Sequence, residues 1–599
     1  MLISFFMTAW AFSGVAVAVS YLYTVEKVKV LPEGWKLLDE DPDPSTPIRI
    51  SLALNQPLIW RLNSVILWNA LLNEGESQYF REPDNYNMRL TFKWLESHNI
   101  TTAKRDQDWI HVTTTVGEVN KLLYTRLRRY SYRGGKPLIR TTEYAVPPER
   151  SGSIDFVHPI ANFMTPGHEV MAVPQYPPPT QQLQQQQGQQ GRQSSHKRQQ
   201  VACSPTTTPG CIHELYGIDY TTRDGRSSVQ LAIAGFLEQW ANYDDMRQNF
   251  ADSRPDLAQA GYNFTVEPIN GGENKQDAGT AGTEANLDIQ YAMAVGFPVN
   301  VTYYSTRGRG EKLDDNGKPL PFESNDNEPY LEFFQHFAKK LDNELPHVIS
   351  LSYADDEFTV PEAYAIRVCN EIGLLSLRGV SVLAASGDGG AMGSRNASCR
   401  SHDGRNRDMT ISTFPASCPW VTSVGAVKNG QEPPEAAEFS AGGFSKIFQR
   451  PDWQRRAVNG YVKHLNGHLH GYYHRHMRAT PDISVVGTLF HTIVNGQPVL
   501  VQGTSASTPV LAAMIALVND VRLRRGKKPL GCINKRLYAF TFRHVLQDIT
   551  TGQSLSCTFS DGREPGGWPA TPGWDAVTGL GVPHNFKRFM EALMTDVNN

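Results

Sequence analysis

The run Gly503-Thr504-Ser505-Ala506-Ser507-Thr508-Pro509 decides how the rest of the chain is read. Residues 510–518 after it are apolar, so the run opens a helix, and Pro509 is expected in the first turn, where a proline is tolerated. A Gly-Thr-Ser turn at a helix start can present a hydroxyl nucleophile; it can equally be a plain turn or a helix cap. The choice depends on a proton acceptor. None of the 17 His lies in a His-Gly-Thr setting, the usual companion of such a serine, so a base has to be sought elsewhere.

At 599 residues the chain exceeds one ordinary domain and can bury a large core. With 57 Lys+Arg against 60 Asp+Glu the net charge is −3, without the basic surplus a nucleic-acid partner demands. Residues 1–20 are nearly all apolar and carry no charge, and Ala16-Val17-Ala18 offers a small-x-small cleavage site. This is the pattern of a secretory signal peptide, with a short membrane anchor as the alternative. No other stretch reads as a membrane span, so a secreted, extracellular protein with no membrane partner is expected. Sequons at Asn99, Asn263, Asn300 and Asn396 agree with that route. The seven cysteines (Cys203, Cys211, Cys369, Cys399, Cys418, Cys532 and Cys557) leave at least one thiol free in an oxidising compartment. Cys203 and Cys211 could close a local bridge, and the lack of any Cys-x-x-Cys speaks against structural zinc.

Residues 174–200 are rich in Pro and Gln and end in Ser194-Ser195-His196-Lys197-Arg198. Such a composition buries little surface and reads as an exposed linker with a dibasic processing site. We therefore expect a signal peptide over 1–20, a compact α+β domain over 21–170, the linker over 171–200 and a larger α/β domain over 201–599. In the smaller domain, 64–72 and 88–96 are expected helices and 109–115 a strand. In the larger one, 229–235, 348–353 and 380–386 are short apolar runs separated by helical stretches such as 284–293 and 361–378. Strands alternating with helices predict a mostly parallel sheet flanked by helices on both faces, with functional residues at the carboxyl ends of the strands.

In Thr283-Glu284-Ala285-Asn286-Leu287-Asp288-Ile289 two carboxylates stand one helical turn apart. Usually that is a solvated acidic face. Here Ala285, Leu287, Ile289, Ala292 and Met293 make the surroundings apolar, so the pair should be partly buried, with one pKa raised and protons shared. Glu284 is the candidate base for Ser505, and Asp288 its orienting partner. The third element is Ala384-Ala385-Ser386-Gly387-Asp388-Gly389-Gly390, directly after an apolar strand. It reads either as an ordinary Asp-Gly turn or as a site where a protonated Asp388 donates to a developing oxyanion. The second reading requires activity in acid and its loss toward neutral pH.

Glu-x-x-x-Asp, Ser-Gly-Asp-x-Gly and Gly-Thr-Ser-Ala-Ser, in this order, resemble the sedolisin family of serine-carboxyl peptidases, and within it the tripeptidyl peptidases. Further matches are 211–217, Ser352-Tyr353-Ala354-Asp355-Asp356-Glu357, 414–419, Gly442-Gly443-Phe444-Ser445, Ala479-Thr480-Pro481-Asp482 and 572–583. The resemblance spans residue 25 to the end and is densest after Cys203; residues 73–87 depart from the family's commonest prodomain signature. It implies a subtilisin-like fold, an autoprocessed N-terminal prodomain acting as an intramolecular inhibitor, and release of tripeptides from free N-termini of peptides and proteins in acid. Carried over by position, Ser505 is the nucleophile, Glu284 the base, Asp288 its partner and Asp388 the oxyanion acid. The expected product is a monomeric secreted peptidase. An endopeptidase of the same fold, or a secreted binding protein that has lost catalysis, is the alternative.

Near the C-terminus, Asp548-Ile549 and Thr571-Pro572-Gly573-Trp574-Asp575 are Asp-bearing turns of the kind that can give Ca²⁺ an all-oxygen shell. The resemblance implies one structural calcium here, held by the Asp548 and Asp575 side chains and carbonyls of Ile549, Thr571 and Gly573. His464, His468, His470, His474 and His476 form a cluster, but Gly467 and Gly471 oppose the helix that i,i+4 ligation would need, and a solvated loop is expected.

Overall fold

The computed structural model describes residues 22–595, apart from 33, 63–70, 133–136, 164–170, 174–205, 223, 309–328, 395–398, 402–404, 430–432 and 543. The expected signal peptide, most of the 64–72 helix, the Pro/Gln-rich run with Lys197-Arg198, Cys203 and the Asn396 sequon lie outside the described residues. Leu72 is not helical; its N–H donates to Leu377 O at 2.7 Å.

The N-terminal part contains a four-stranded antiparallel sheet of β1 (Pro47–Leu54), β2 (Lys104–Asp106), β3 (Trp109–Thr115) and β4 (Ile154–His158), in the order β2-β3-β1-β4. β3 coincides with the expected strand, as its β-branched Trp-Ile-His-Val-Thr-Thr-Thr sequence requires. Helix α1 (Glu74–Arg81) starts at a capping box: Asn73 Oδ1 accepts from Glu76 N at 2.9 Å, and Glu76 Oε2 accepts from Asn73 N at 2.8 Å. Helix α2 (Asn85–Ser97) covers the expected 88–96. Ile50, Leu52, Leu95, Ile110 and Val112 form a core separate from that of the larger domain. A further short strand, β5 (Met171–Val173), stands at the start of the segment expected to be linker.

The larger domain is built on seven parallel strands: β6 (Gln230–Gly235), β7 (Thr265–Ile269), β8 (Asn300–Thr306), β9 (Val348–Leu351), β10 (Ser381–Ala385), β11 (Thr422–Val427) and β12 (Ile483–Val486), ordered β7-β8-β6-β9-β10-β11-β12. Alternate residues of β6 enter different cores. Leu231 and Ile233 join the side that holds α3 (Thr283–Gly296), while Ala232 and Ala234 join the side that holds α4 (Glu362–Leu377). The central helix α5 (Thr504–Arg524) lies against α3, with Gly296 so close to Ala513 that an added Cβ would stand 3.3 Å from the alanine methyl. By length and composition alone α5 could cross a membrane, contrary to the sequence-based expectation; 94% of its most apolar window is buried inside the protein, so it is a core helix. A hairpin of β13 (Phe490–Val494) and β14 (Gln497–Gln502) leads into the Gly-Thr-Ser turn, and β5 pairs antiparallel with β14 through Met171–Gln502, Ala172–Val501 and Val173–Leu500.

Disulfides join Cys369 to Cys418 and Cys399 to Cys557, Cys211 is also disulfide-bonded, and Cys532 is the free thiol that the odd count requires. The two domains meet at buried ion pairs on α4. Arg367, 1% exposed, reaches Asp108 at 2.5 Å and Asp155 at 2.7 Å, and Arg81 of α1 meets Glu371. Removing one partner of a buried pair leaves an uncompensated charge. Arg367→Ala should therefore lower the urea-unfolding stability of the full-length protein by about 3–5 kcal/mol; an unchanged midpoint would mean the domains are not held at α4.

Candidate catalytic site

Gly503 is extended (φ 162°), and α5 starts at Thr504. Pro509 is consequently the sixth helical residue, in the second turn rather than the first as expected from sequence. Its missing N–H is the one that would have bonded Ser505 O; the Ser352 hydroxyl approaches that carbonyl instead, at 3.3 Å. Ser505 is 5% exposed, and its Oγ donates to Ser352 O at 3.2 Å.

Glu284 and Asp288 project from the first turns of α3 and are buried outright, at 3% and 0% exposure. Asp288 Oδ1 accepts from Ser352 Oγ at 2.8 Å, while Oδ2 has no partner. Ser352, at the carboxyl end of β9, thus touches both Ser505 and the acid pair. Burial above all drives the Glu284 proton affinity well above the ordinary carboxyl range, and the charges of Asp288 and Asp388 push it further. Neither Glu284 oxygen has a hydrogen bond in range, although the Ser505 and Ser352 hydroxyls are close enough to offset part of that rise. Asp288 is raised by its burial too, with Ser352 opposing. Among the described residues the main groups acting on this pair are carboxyls and hydroxyls, not imidazoles.

Asp388 follows β10 in a turn that Gly387 makes at φ 100°, where an added Cβ would lie 2.8 Å from the Thr413 methyl. Thr504 fixes the acid beside Ser505: its N–H and Oγ1 meet Asp388 Oδ1 at 2.7 and 2.9 Å. Asp388 Oδ2 lies over Gly503, 2.8 Å from where a side chain there would begin. Glu284, Asp288, Asp388 and Ser505 are therefore brought to one buried locus by α3, the β10 turn and the start of α5.

The C-terminal acids also meet. Gly573 N donates to Asp548 Oδ2 at 2.7 Å, and Thr571 N to Asp575 Oδ2 at 3.4 Å, so both carboxyls sit on one turn. The carbonyls of Ile549, Thr571 and Gly573 accept no hydrogen bond among the described residues. Burial raises both acids, Asp575 to about 7, a cost that a bound cation reverses. The residues present therefore fit a calcium ion. Among the described residues no group of three or more His, Cys, Asp or Glu is arranged to hold a metal ion, and the histidine cluster forms none.

Residues 33–163 match the Pro-kumamolisin activation domain, and residues 319–525 match the subtilase family, with Asp388 and Ser505 inside the match and Glu284 and Asp288 outside it. Tripeptidyl-peptidase sed4 of Aspergillus fumigatus is 34% identical over 99% of this chain and 100% of its own length. A probable tripeptidyl-peptidase SED4 of Trichophyton verrucosum (34%; 96% and 94%) and tripeptidyl-peptidase SED2 of Arthroderma otae (34%; 95% and 96%) are similar in the same way. The chain belongs to the sedolisin family. It is a serine-carboxyl peptidase with a subtilisin-like fold and an N-terminal activation domain. The subtilase match begins after the acid pair on α3.

Reading the sequence missed Ser352 as a structural hub and Thr504 as the tether of Asp388; the apolar run ending at Ser352 was the available signal. The acid pair also dictates a pH dependence. Both carboxyls bind protons more tightly folded than unfolded, so their contribution to stability is complete below about pH 4, the unfolded range. It is lost as pH rises through the raised folded values. Melting temperatures between pH 3 and 8 should fall toward neutrality, and Glu284→Gln should flatten that fall. A variant as pH-sensitive as the wild type would place the dependence elsewhere.

Proposed function

We propose that this sedolisin is a secreted peptidase that works in acid and releases tripeptides from free N-termini of polypeptides. The burial of Glu284 and Asp288 beside Ser505 carries the reading, because it raises the proton affinity of the pair. With a single proton held by Asp288, the Glu284 carboxylate is a strong enough base to stand where a histidine would otherwise be needed. Glu284 takes the Ser505 Oγ proton as the oxygen attacks the scissile carbonyl, and Asp288, held by Ser352, orients Glu284 and shares the proton. Asp388, tethered by Thr504, is the acid that donates a hydrogen bond to the tetrahedral oxyanion. Glu284 then returns its proton to the departing amine. Water, deprotonated by the same carboxylate, hydrolyses the acyl-enzyme and restores Ser505.

The tripeptide step rests on the naming of the relatives. Secretion accords with the disulfides and with an uncharged apolar N-terminus. The activation domain is the inhibitor in this reading, and it is supported by the pairing of β5, in the segment that follows that domain, with β14, the strand that runs into Gly503-Thr504-Ser505. The calcium ligands are Asp548, Asp575 and the carbonyls of Ile549, Thr571 and Gly573; when bound, the ion offsets buried negative charge and stabilises the fold without taking part in the chemistry.

Matured protein at about pH 4 should release tripeptides from unblocked peptides, leave N-acetylated ones intact, and lose this activity as Ser505→Ala. Cleavage of the acetylated peptides would instead mean an endopeptidase, and no cleavage of either a binding protein. Chelation should lower the melting temperature of the wild type and leave that of Asp575→Asn unmoved; equal shifts would exclude this turn as the ion site.

A further inference from the structure

The catalytic helix α3 lacks an N-cap of its own: Gly282 stands at that position and brings no side chain. The first N–H groups of a helix need acceptors, and here the chain after β6 supplies two. Trp240 O accepts from Gly282 N at 2.9 Å, and the side-chain oxygen of Gln239 accepts from the backbone N–H of Glu284 itself at 3.1 Å. The approach is close. A Cβ at Gly282 would stand 2.3 Å from Gln239 Oε1 and 2.7 Å from its Cα, so only glycine lets the amide reach the helix end.

The backbone is bent to make this contact. Leu237 and Glu238, two consecutive non-glycine residues, both take left-handed conformations (φ 56° and 54°) that side-chain-bearing residues rarely adopt. The bend is braced on both sides: Gln239 N donates to Phe236 O at 3.2 Å, the Tyr303 hydroxyl donates to Gln239 O, and Asn242 N donates to Asn286 Oδ1 at 2.9 Å. Strain of this kind persists where surrounding structure enforces it, and here its result is the placement of one amide oxygen.

We infer that Gln239 is a positioning residue for catalysis, an external cap that fixes the main chain of Glu284 and so the reach of its carboxyl to Ser505. This rests on Glu284 acting as the base. The side-chain type suits that role, because an amide offers an acceptor oxygen without charge, whereas a carboxylate would bring a negative charge beside the buried acids Glu284, Asp288 and Asp388. It also explains why an acid with no hydrogen bond on either oxygen is nonetheless held beside the nucleophile.

Steady-state kinetics of the full-length protein after acid maturation, with an unblocked peptide at about pH 4, test the inference. Gln239→Met keeps the length and removes the acceptor, and should lower kcat at least ~10-fold with KM little changed. Gln239→Glu, protonated at that pH, restores a neutral acceptor oxygen and should recover most of the rate. If Gln239→Met does not fold, Gln239→Asn, one methylene short of the helix, takes its place. Wild-type kcat in the shortened or apolar variant, or a loss that Gln239→Glu does not rescue, would overturn the assignment. Glu284→Gln separates the two levels: if it remains active, Glu284 is not the base; if it is inactive while Gln239→Met keeps wild-type kcat, only the role of Gln239 fails.

Discussion

Two carboxyl groups one helical turn apart, sealed from solvent beside a serine, form the constraint on which this protein depends. In water they would ionise and be unremarkable. On α3, Glu284 and Asp288 are 3% and 0% exposed, and burial makes the proton, not the charge, the favoured state. Much of the larger domain serves to keep them there. α5 packs along α3, β9 delivers Ser352 to the pair and to Ser505, and the β10 turn sets Asp388 against Gly503. A buried acid cluster is costly, and its cost falls as pH falls, so stability and the proposed chemistry share one preference for acid.

The serine end of the site shows the same economy of contacts. Pro509 withholds the N–H that would have closed the helix on Ser505 O, and Ser352 approaches the freed carbonyl. Thr504 uses its backbone and its hydroxyl to hold one oxygen of Asp388. Three adjacent residues, Gly503, Thr504 and Ser505, therefore set the space, the tether and the hydroxyl that the proposed chemistry uses.

Much of this was legible in the sequence because the signals are local. The apolar runs at 229–235, 348–353 and 380–386 are strands of a parallel sheet buried on both faces, and the acid pair lies on one helix as its i,i+4 spacing demands. The failures are tertiary. That α5 is a core helix rather than a span follows from its neighbours, not its composition. Pro509 was assigned to the wrong turn because only the extended Gly503 fixes where the helix begins. Ser352 and Gln239 come from strand ends 64 and 45 residues from the acids they contact, and no periodicity links them. The pairing of Met171–Val173 with β14 joins parts of the chain that share no sequence pattern.

The pH dependence of kcat/KM for the matured enzyme tests the central claim most directly, because carboxyl and imidazole machinery predict opposite limbs. With the buried carboxyls of Glu284 and Asp288 in place of an imidazole, activity should peak in acid and decline steadily to little or nothing at neutral pH. Activity that climbs through about pH 6.5, the range of an ordinary imidazole, and holds at pH 8 would contradict the account.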